Sequence, residues 1–166
     1  FALNLREQDI ISAPDIKSIY EAPINFEKDH LGVGILKKLG LKKRSTDMRS
    51  WRRLVQTIQD TKKQKVKIGI VGKYFSTGSF SLTDSYISVI EALKHASWAN
   101  RAEPELHWLD AERYEKRKDY LKELKEYDGI VVPGGFGKRG IEGKINVIEY
   151  CCKEKIPYFG LCYGMQ

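Results

Sequence analysis

Nowhere in the chain do apolar residues run for the ~18 positions that a membrane-crossing helix requires, and no charged-then-apolar leader opens it. Cysteine is scarce: Cys151, Cys152 and Cys162 are the three, all late in the sequence, with no CxxC or Cys/His spacing. These absences exclude a disulfide framework and a metal site of the usual pattern. They set the expectation of a cytoplasmic protein in a reducing compartment, with no membrane partner and no metal held by this segment. A phosphate-binding P-loop is also missing. The stretch VGKYFSTG offers Gly72 and Lys73, but no glycine stands five residues before, and Tyr74 occupies the Ser/Thr position.

Charge of one sign is present in excess, and unevenly. Residues 37–67 hold twelve Lys/Arg against two Asp, so this block alone exceeds the whole chain's net +7. Such a block could attract nucleic acid or nucleotide phosphates. No aromatic-interleaved RNA motif accompanies it, and we read it as a solvated linker face, with a basic RNA-binding module as the competing reading.

From Val66 onward the sequence alternates regularly. VKIGIVGKY reads as a buried strand, and after a polar loop SYISVIEALKHA places Tyr86, Ile90, Leu93 and Ser97 on one helical stripe. ELHWLD reads as a second strand and AERYEKRKDYLKELKEY as one charged helix. DGIVVPGG is a third strand. The helix after it, from about Gly140 to Glu154, puts Ile141, Ile145, Ile148 and Cys152 on its apolar face, and IPYFGL is the last strand. Strands alternating with helices predict an α/β, doubly wound parallel sheet whose site lies at the strands' carboxyl ends. Upstream, SWRRLVQTIQDTKKQK carries Trp51, Leu54, Val55 and Ile58 at amphipathic-helix spacing, DIISAP is strand-like and LGVGILKKLG helical. Residues 1–44 are too few to close a core and read as the tail of another domain.

GLCYGMQ carries chemistry. Gly160, Cys162 and Gly164 match the GxSxG nucleophile elbow with sulfur for oxygen, small residues flanking a nucleophile on a sharp turn after a strand. A cysteine entering a helix there would meet unpaired N–H groups and the positive dipole end. The alternative is a cysteine packed as a small hydrophobe. In VVPGGFG, Gly134, Gly135 and Gly137 let backbone N–H groups turn towards a ligand, where they could hold an oxyanion; otherwise they form a tight turn. Cys152 reads as core, and His30, His95 and His107 as packing or solvent-facing residues rather than a general base.

VPGGFGKRGIEG together with IPYFGLCYGMQ, behind KIGIVGKY and SVIEALKHA, resembles the glutamine amidotransferase domain of the CTP synthase family, and DIISAPDIKSIYEAP is similar to the stretch before that family's interdomain linker. The resemblance covers essentially the whole chain. It implies a flavodoxin-like class I glutaminase, incomplete here (66–166), a linker (45–65) and the end of a P-loop-like amidoligase domain (1–44). The implied reaction is ATP-dependent amination of UTP to CTP with ammonia from glutamine. A silent glutaminase-like regulatory domain, or a class I amidotransferase serving another synthetase, are the alternatives.

By position the resemblance makes Cys162 the nucleophile. It gives Gly134, Gly135 and Phe136, with Tyr163, Gly164, Met165 and Gln166, to the oxyanion and glutamine pocket. Pro14, Asp15 and Ile16 would contact ATP, and Arg139, Gly140 and Glu142 would belong to the lid through which GTP activates glutamine hydrolysis. ATP and Mg²⁺ are expected to bind mainly through residues outside this segment, as are the general-base His and its Glu. A homotetramer without nucleic acid is implied. Tyr163 is larger than the Leu common after the nucleophile, and Pro14 stands where a basic residue is frequent, so any adenine contact at Pro14 comes from its carbonyl or its neighbours.

Overall fold

A computed structural model describes residues 6, 9–60, 62–72, 86–135 and 138–166. The chain divides into two compact units, Phe1–Thr61 and Lys62–Gln166.

The first unit is helical: α1 (Ala22–Lys28), α2 (Leu31–Lys38) and α3 (Arg49–Gln59). A capping box starts the turn before α1, Ser18 accepting from the Tyr20 N–H and Glu21 accepting from the Ser18 N–H. Trp51 of α3 donates its indole N–H to the Tyr20 carbonyl at 2.8 Å, and the two rings lie 6.1 Å apart. The amphipathic reading of α3 holds, with Val55 buried and Trp51, Leu54 and Ile58 partly so. DIISAP is a correction. Asp9 turns back to donate its N–H to the Arg6 carbonyl, and residues 10–16 form no strand, because no neighbouring strand among the described residues offers a ladder.

The second unit holds a four-stranded, wholly parallel sheet in the order β2-β1-β3-β4: β1 (Gln64–Gly72), β2 (Ala102–Asp110), β3 (Gly129–Val132) and β4 (Tyr158–Gly160). β1 pairs with β2 from Gln64↔Ala102 to Gly72↔Asp110 and with β3 from Ile68↔Gly129 to Ile70↔Val131. Because side chains alternate along a strand, Val71, Ile130 and Val132 face one side and Ile70, Trp108 and Val131 the other. The first side is covered by α5 (Ala111–Lys116), a 3₁₀ segment (Lys118–Glu126) and α6 (Ile141–Glu154), which bring Tyr114, Leu124, Val147 and Cys151 into one buried cluster. Across the sheet, α4 (Ile87–Ala99) packs on β2, and Tyr86 lays its ring 6.5 Å from Trp108. Helices on both faces of a parallel sheet give the expected α/β doubly wound architecture.

Two expectations about helices are corrected. The charged stretch 111–127 is not one helix: Arg117 is extended, and the chain resumes as a 3₁₀ segment. Tertiary contacts fold it back, the Tyr114 hydroxyl donating to Glu123 at 2.5 Å and the Arg113 guanidinium standing 3.8 Å over the Tyr120 ring. In α6 the core face is Gly143, Val147 and Cys151, not the isoleucine stripe with Cys152, which is exposed. A Cβ at Gly143 would lie 1.8 Å from the Ala111 carbonyl oxygen. That close approach turns the Gly143 side of α6 inward and swings Ile141, Ile145 and Ile148 towards the end of β4.

Candidate active site at the carboxyl ends of β3 and β4

The chain leaves β4 at Gly160 and turns at once. Leu161 donates its N–H to the Val132 carbonyl at 3.0 Å, tying the exit of β4 to the exit of β3. Cys162 follows with φ of +52°, in the left-handed region that non-glycine residues rarely occupy. Cys162–Gly164 then form a single 3₁₀ turn, closed by the Gly164 N–H to the Leu161 carbonyl at 2.9 Å and the Met165 N–H to the Cys162 carbonyl at 3.0 Å. Backbone strain at this position presents the cysteine.

The two flanking glycines permit that strain. A Cβ on Gly160 would stand 2.4 Å from the Gly164 carbonyl oxygen, and one on Gly164 would stand 2.0 Å from the Val132 carbonyl oxygen. Neither position accepts a side chain, because each meets backbone that cannot move aside. The Tyr158 hydroxyl donates to the Gly164 carbonyl, and burial holds that phenol above its ordinary pKa, so it stays a donor. The Cys162 side chain itself is exposed.

Gly134 lies against it. A Cβ built on Gly134 would come 3.2 Å from Cys162 Cβ and 3.5 Å from Sγ, so the backbone after β3 is placed beside the thiol. Gly135, at φ of +144°, adopts a conformation open to glycine. The structure thus brings Cys162 and Gly134 together, with Gly135 next in the chain. Phe136 lies outside the described residues. Tyr163, Gly164 and Gln166 line a cavity of about 240 Å³ closed on its other side by Ile141, Lys144, Ile145 and Ile148. Met165 is exposed.

The remaining predicted residues sit elsewhere. Arg139 pairs with Glu112 at the start of α5, Gly140 takes a left-handed conformation ahead of α6, and Glu142 is exposed on its first turn. In the first unit Pro14 and Asp15 are exposed and Ile16 is partly buried. His107 lies on β2, exposed, with its ring 5.4 Å from Tyr127. Three strand spacings separate β2 from β4, roughly 14 Å, so His107 is out of hydrogen-bond reach of the thiol. His95, on α4, is exposed beside Trp98. No metal-holding group of His, Cys, Asp and Glu occurs among the described residues, and no helix among them is long and apolar enough to cross a membrane.

One residue at the site was not legible in the sequence. Lys144 of α6 is 3% exposed and donates from Nζ to the Pro133 carbonyl at 2.9 Å. A lysine inside a helix reads as a surface residue. Only its place between Gly143 and Val147, on the inward side of α6, could have marked it.

A strand-borne cysteine held in a strained turn, beside a glycine-rich turn at the neighbouring strand end, suits nucleophilic attack on a carbonyl. The family model described as Glutamine amidotransferase class-I matches residues 81–166. A CTP synthase from Pyrococcus abyssi is 44% identical over 166 residues, covering 98% of this chain and 29% of that protein. One from Listeria innocua is 41% identical over 163 residues with the same coverage, and one from Carboxydothermus hydrogenoformans 44% over 157 residues, 95% of this chain and 28% of its own. The chain therefore spans less than a third of the length of these curated relatives. Among solved structures, the glutaminase domain of a Trypanosoma brucei CTP synthase with bound acivicin superposes with a TM-score of 0.54 at 37% identity, over 61% of this chain and 38% of that one. The chain belongs to the class-I glutamine amidotransferase family.

Proposed function

We propose that this chain is part of a CTP synthase, in which Cys162 opens the glutaminase half of an ATP-dependent amination of UTP to CTP. The observation that carries the reading is the thiol at φ +52° between two glycines that cannot bear a Cβ, set against Gly134. The Cys162 thiolate attacks the side-chain amide carbon of glutamine, forming the C–S bond and a tetrahedral oxyanion. Collapse breaks the C–N bond, ammonia departs with a proton from a general acid, and water hydrolyses the thioester to glutamate. The N–H groups of Gly134 and Gly135 receive the oxyanion, and Tyr163 to Gln166 wall the pocket on the elbow side.

The general base belongs to chain outside residues 1–166, since both histidines of the second unit point to other roles. ATP and Mg²⁺ are bound largely by other parts of the protein, with Pro14, Asp15 and Ile16 at the adenine. The Arg139–Glu142 segment is the place for GTP, the assembly is a homotetramer, and the compartment is the cytoplasm. Support for the synthetase assignment is that relatives matching 95–98% of this chain, and so most of residues 1–44, are CTP synthases.

The test is Cys162→Ala in the full-length enzyme. Glutamine-dependent CTP formation is expected to vanish while CTP formation from free ammonia persists. A variant that still consumed glutamine at the normal rate would sink the assignment.

A further inference from the structure

Lys144 is buried, at 3% exposure, and the reaction proposed above gives it no role. From α6 its ammonium reaches the carbonyl oxygen of Pro133, eleven residues earlier in the chain. That carbonyl belongs to the same peptide unit as the N–H of Gly134. In a planar trans peptide the C=O and the N–H point in opposite directions, and no cis bond occurs among the described residues. A cation anchored on the α6 side of this unit therefore fixes the Gly134 N–H to face away from α6. Gly134 is also the residue in contact with Cys162.

We propose that Lys144 is a positioning residue for the oxyanion hole: it pins the Pro133–Gly134 peptide so that the Gly134 N–H is aimed at the tetrahedral intermediate formed on Cys162. The inference rests on the thioester reading and deepens it. Two effects act together. Rotating the Pro133 carbonyl inward to replace the N–H would break its charge-assisted bond to the buried ammonium, and that loss opposes the rotation. The charge-assisted bond on the C=O also polarises the peptide and strengthens its N–H as a donor. Gly134, with no Cβ, offers little resistance of its own at the φ about which this peptide turns, so a restraint from outside the turn is what holds it.

The experiment is Lys144→Met, which keeps the stem and deletes the donor, in the full-length enzyme. Removing one oxyanion donor typically costs about a hundred- to a thousandfold in kcat. A donor kept but no longer aimed is expected to cost about ten- to a hundredfold in glutamine hydrolysis, with KM for glutamine changed less than about threefold. The ammonia-fed reaction and the rate at which iodoacetamide alkylates Cys162 should stay at the wild-type level, since neither passes through the oxyanion. Lys144→Arg, which restores a cationic donor, should recover most of the loss. An unchanged kcat, a rise confined to KM, or alkylation falling in step with hydrolysis overturns the proposal. So does loss of the ammonia-fed reaction in both variants, which assigns Lys144 to folding alone. Cys162→Ala, run alongside, separates the two claims. If it still hydrolyses glutamine, the thioester reading fails. If it is inactive while Lys144→Met is unimpaired, only the role of Lys144 fails.

Discussion

Single atoms decide the geometry of the nucleophile. Gly164 has no room for a methyl group: a Cβ would stand 2.0 Å from the Val132 carbonyl oxygen and 2.8 Å from its carbon, both backbone. Gly164→Ala must therefore separate the turn from the end of β3, and with it move Cys162 away from Gly134. Relieving such overlap costs on the order of 1–3 kcal/mol, expected as a lower denaturation midpoint, and glutamine hydrolysis should fall much further than stability does. A Gly164→Ala enzyme with normal glutaminase activity would show that the elbow is not under steric constraint. This part of the site was legible in advance, because the spacing of Gly160, Cys162 and Gly164 encodes a local backbone demand. Lys144 was not, because its significance lies in a partner eleven residues away, and a helical lysine carries no mark of burial in its own surroundings.

Elements were legible where periodicity was local, and less so where packing chose among faces. The four strands and their order of appearance follow from apolar runs that register against one another. The break at Arg117 has no glycine or proline to announce it. It depends on Tyr114, Glu123, Arg113 and Tyr120 meeting in three dimensions. The inward face of α6 was likewise set by Gly143 against Ala111, which places Cys151, not Cys152, in the core. That difference has a chemical signature. Burial pushes the Cys151 thiol from its ordinary 9.0 up to about 11. A folded-state pKa raised above the unfolded one means that the contribution to stability is intact below about pH 9 and is lost as pH rises towards 11. Cys151→Ala should accordingly flatten the fall in stability across that window, measured by denaturant unfolding at several pH values. In the native protein, iodoacetamide should modify Cys162 and Cys152 and leave Cys151 unreacted until the chain unfolds. Rapid labelling of Cys151 under native conditions would contradict the assigned face.

At the scale of the whole molecule, burial is distributed very unequally between the two units. The cluster around Val71, Tyr114, Leu124, Val132 and Val147 belongs entirely to residues 62–166. In the first unit, Val55 is the single fully buried hydrophobic residue described, while Ile10, Ile19, Leu39 and Leu41 are each more than half exposed. Folding asks each ordered residue to give up about 1–2 kcal/mol of backbone entropy, and apolar burial returns only ~25 cal/mol per Å². One buried valine, a tryptophan–carbonyl hydrogen bond and surface ion pairs such as Lys38–Asp9 cannot offset that for some sixty residues, because exposed pairs contribute about 0–1 kcal/mol each. A polypeptide of residues 1–61 is thus expected to show at most frayed helix by circular dichroism, with no cooperative thermal transition. A sharp melting curve from that peptide would mean that the segment carries its own core. The basic block at 37–67 falls across the junction of the units and consists of exposed or half-buried cations for the most part. Its net positive charge raises the electrostatic cost of ordering the isolated segment and deepens the expectation that low salt will not rescue it.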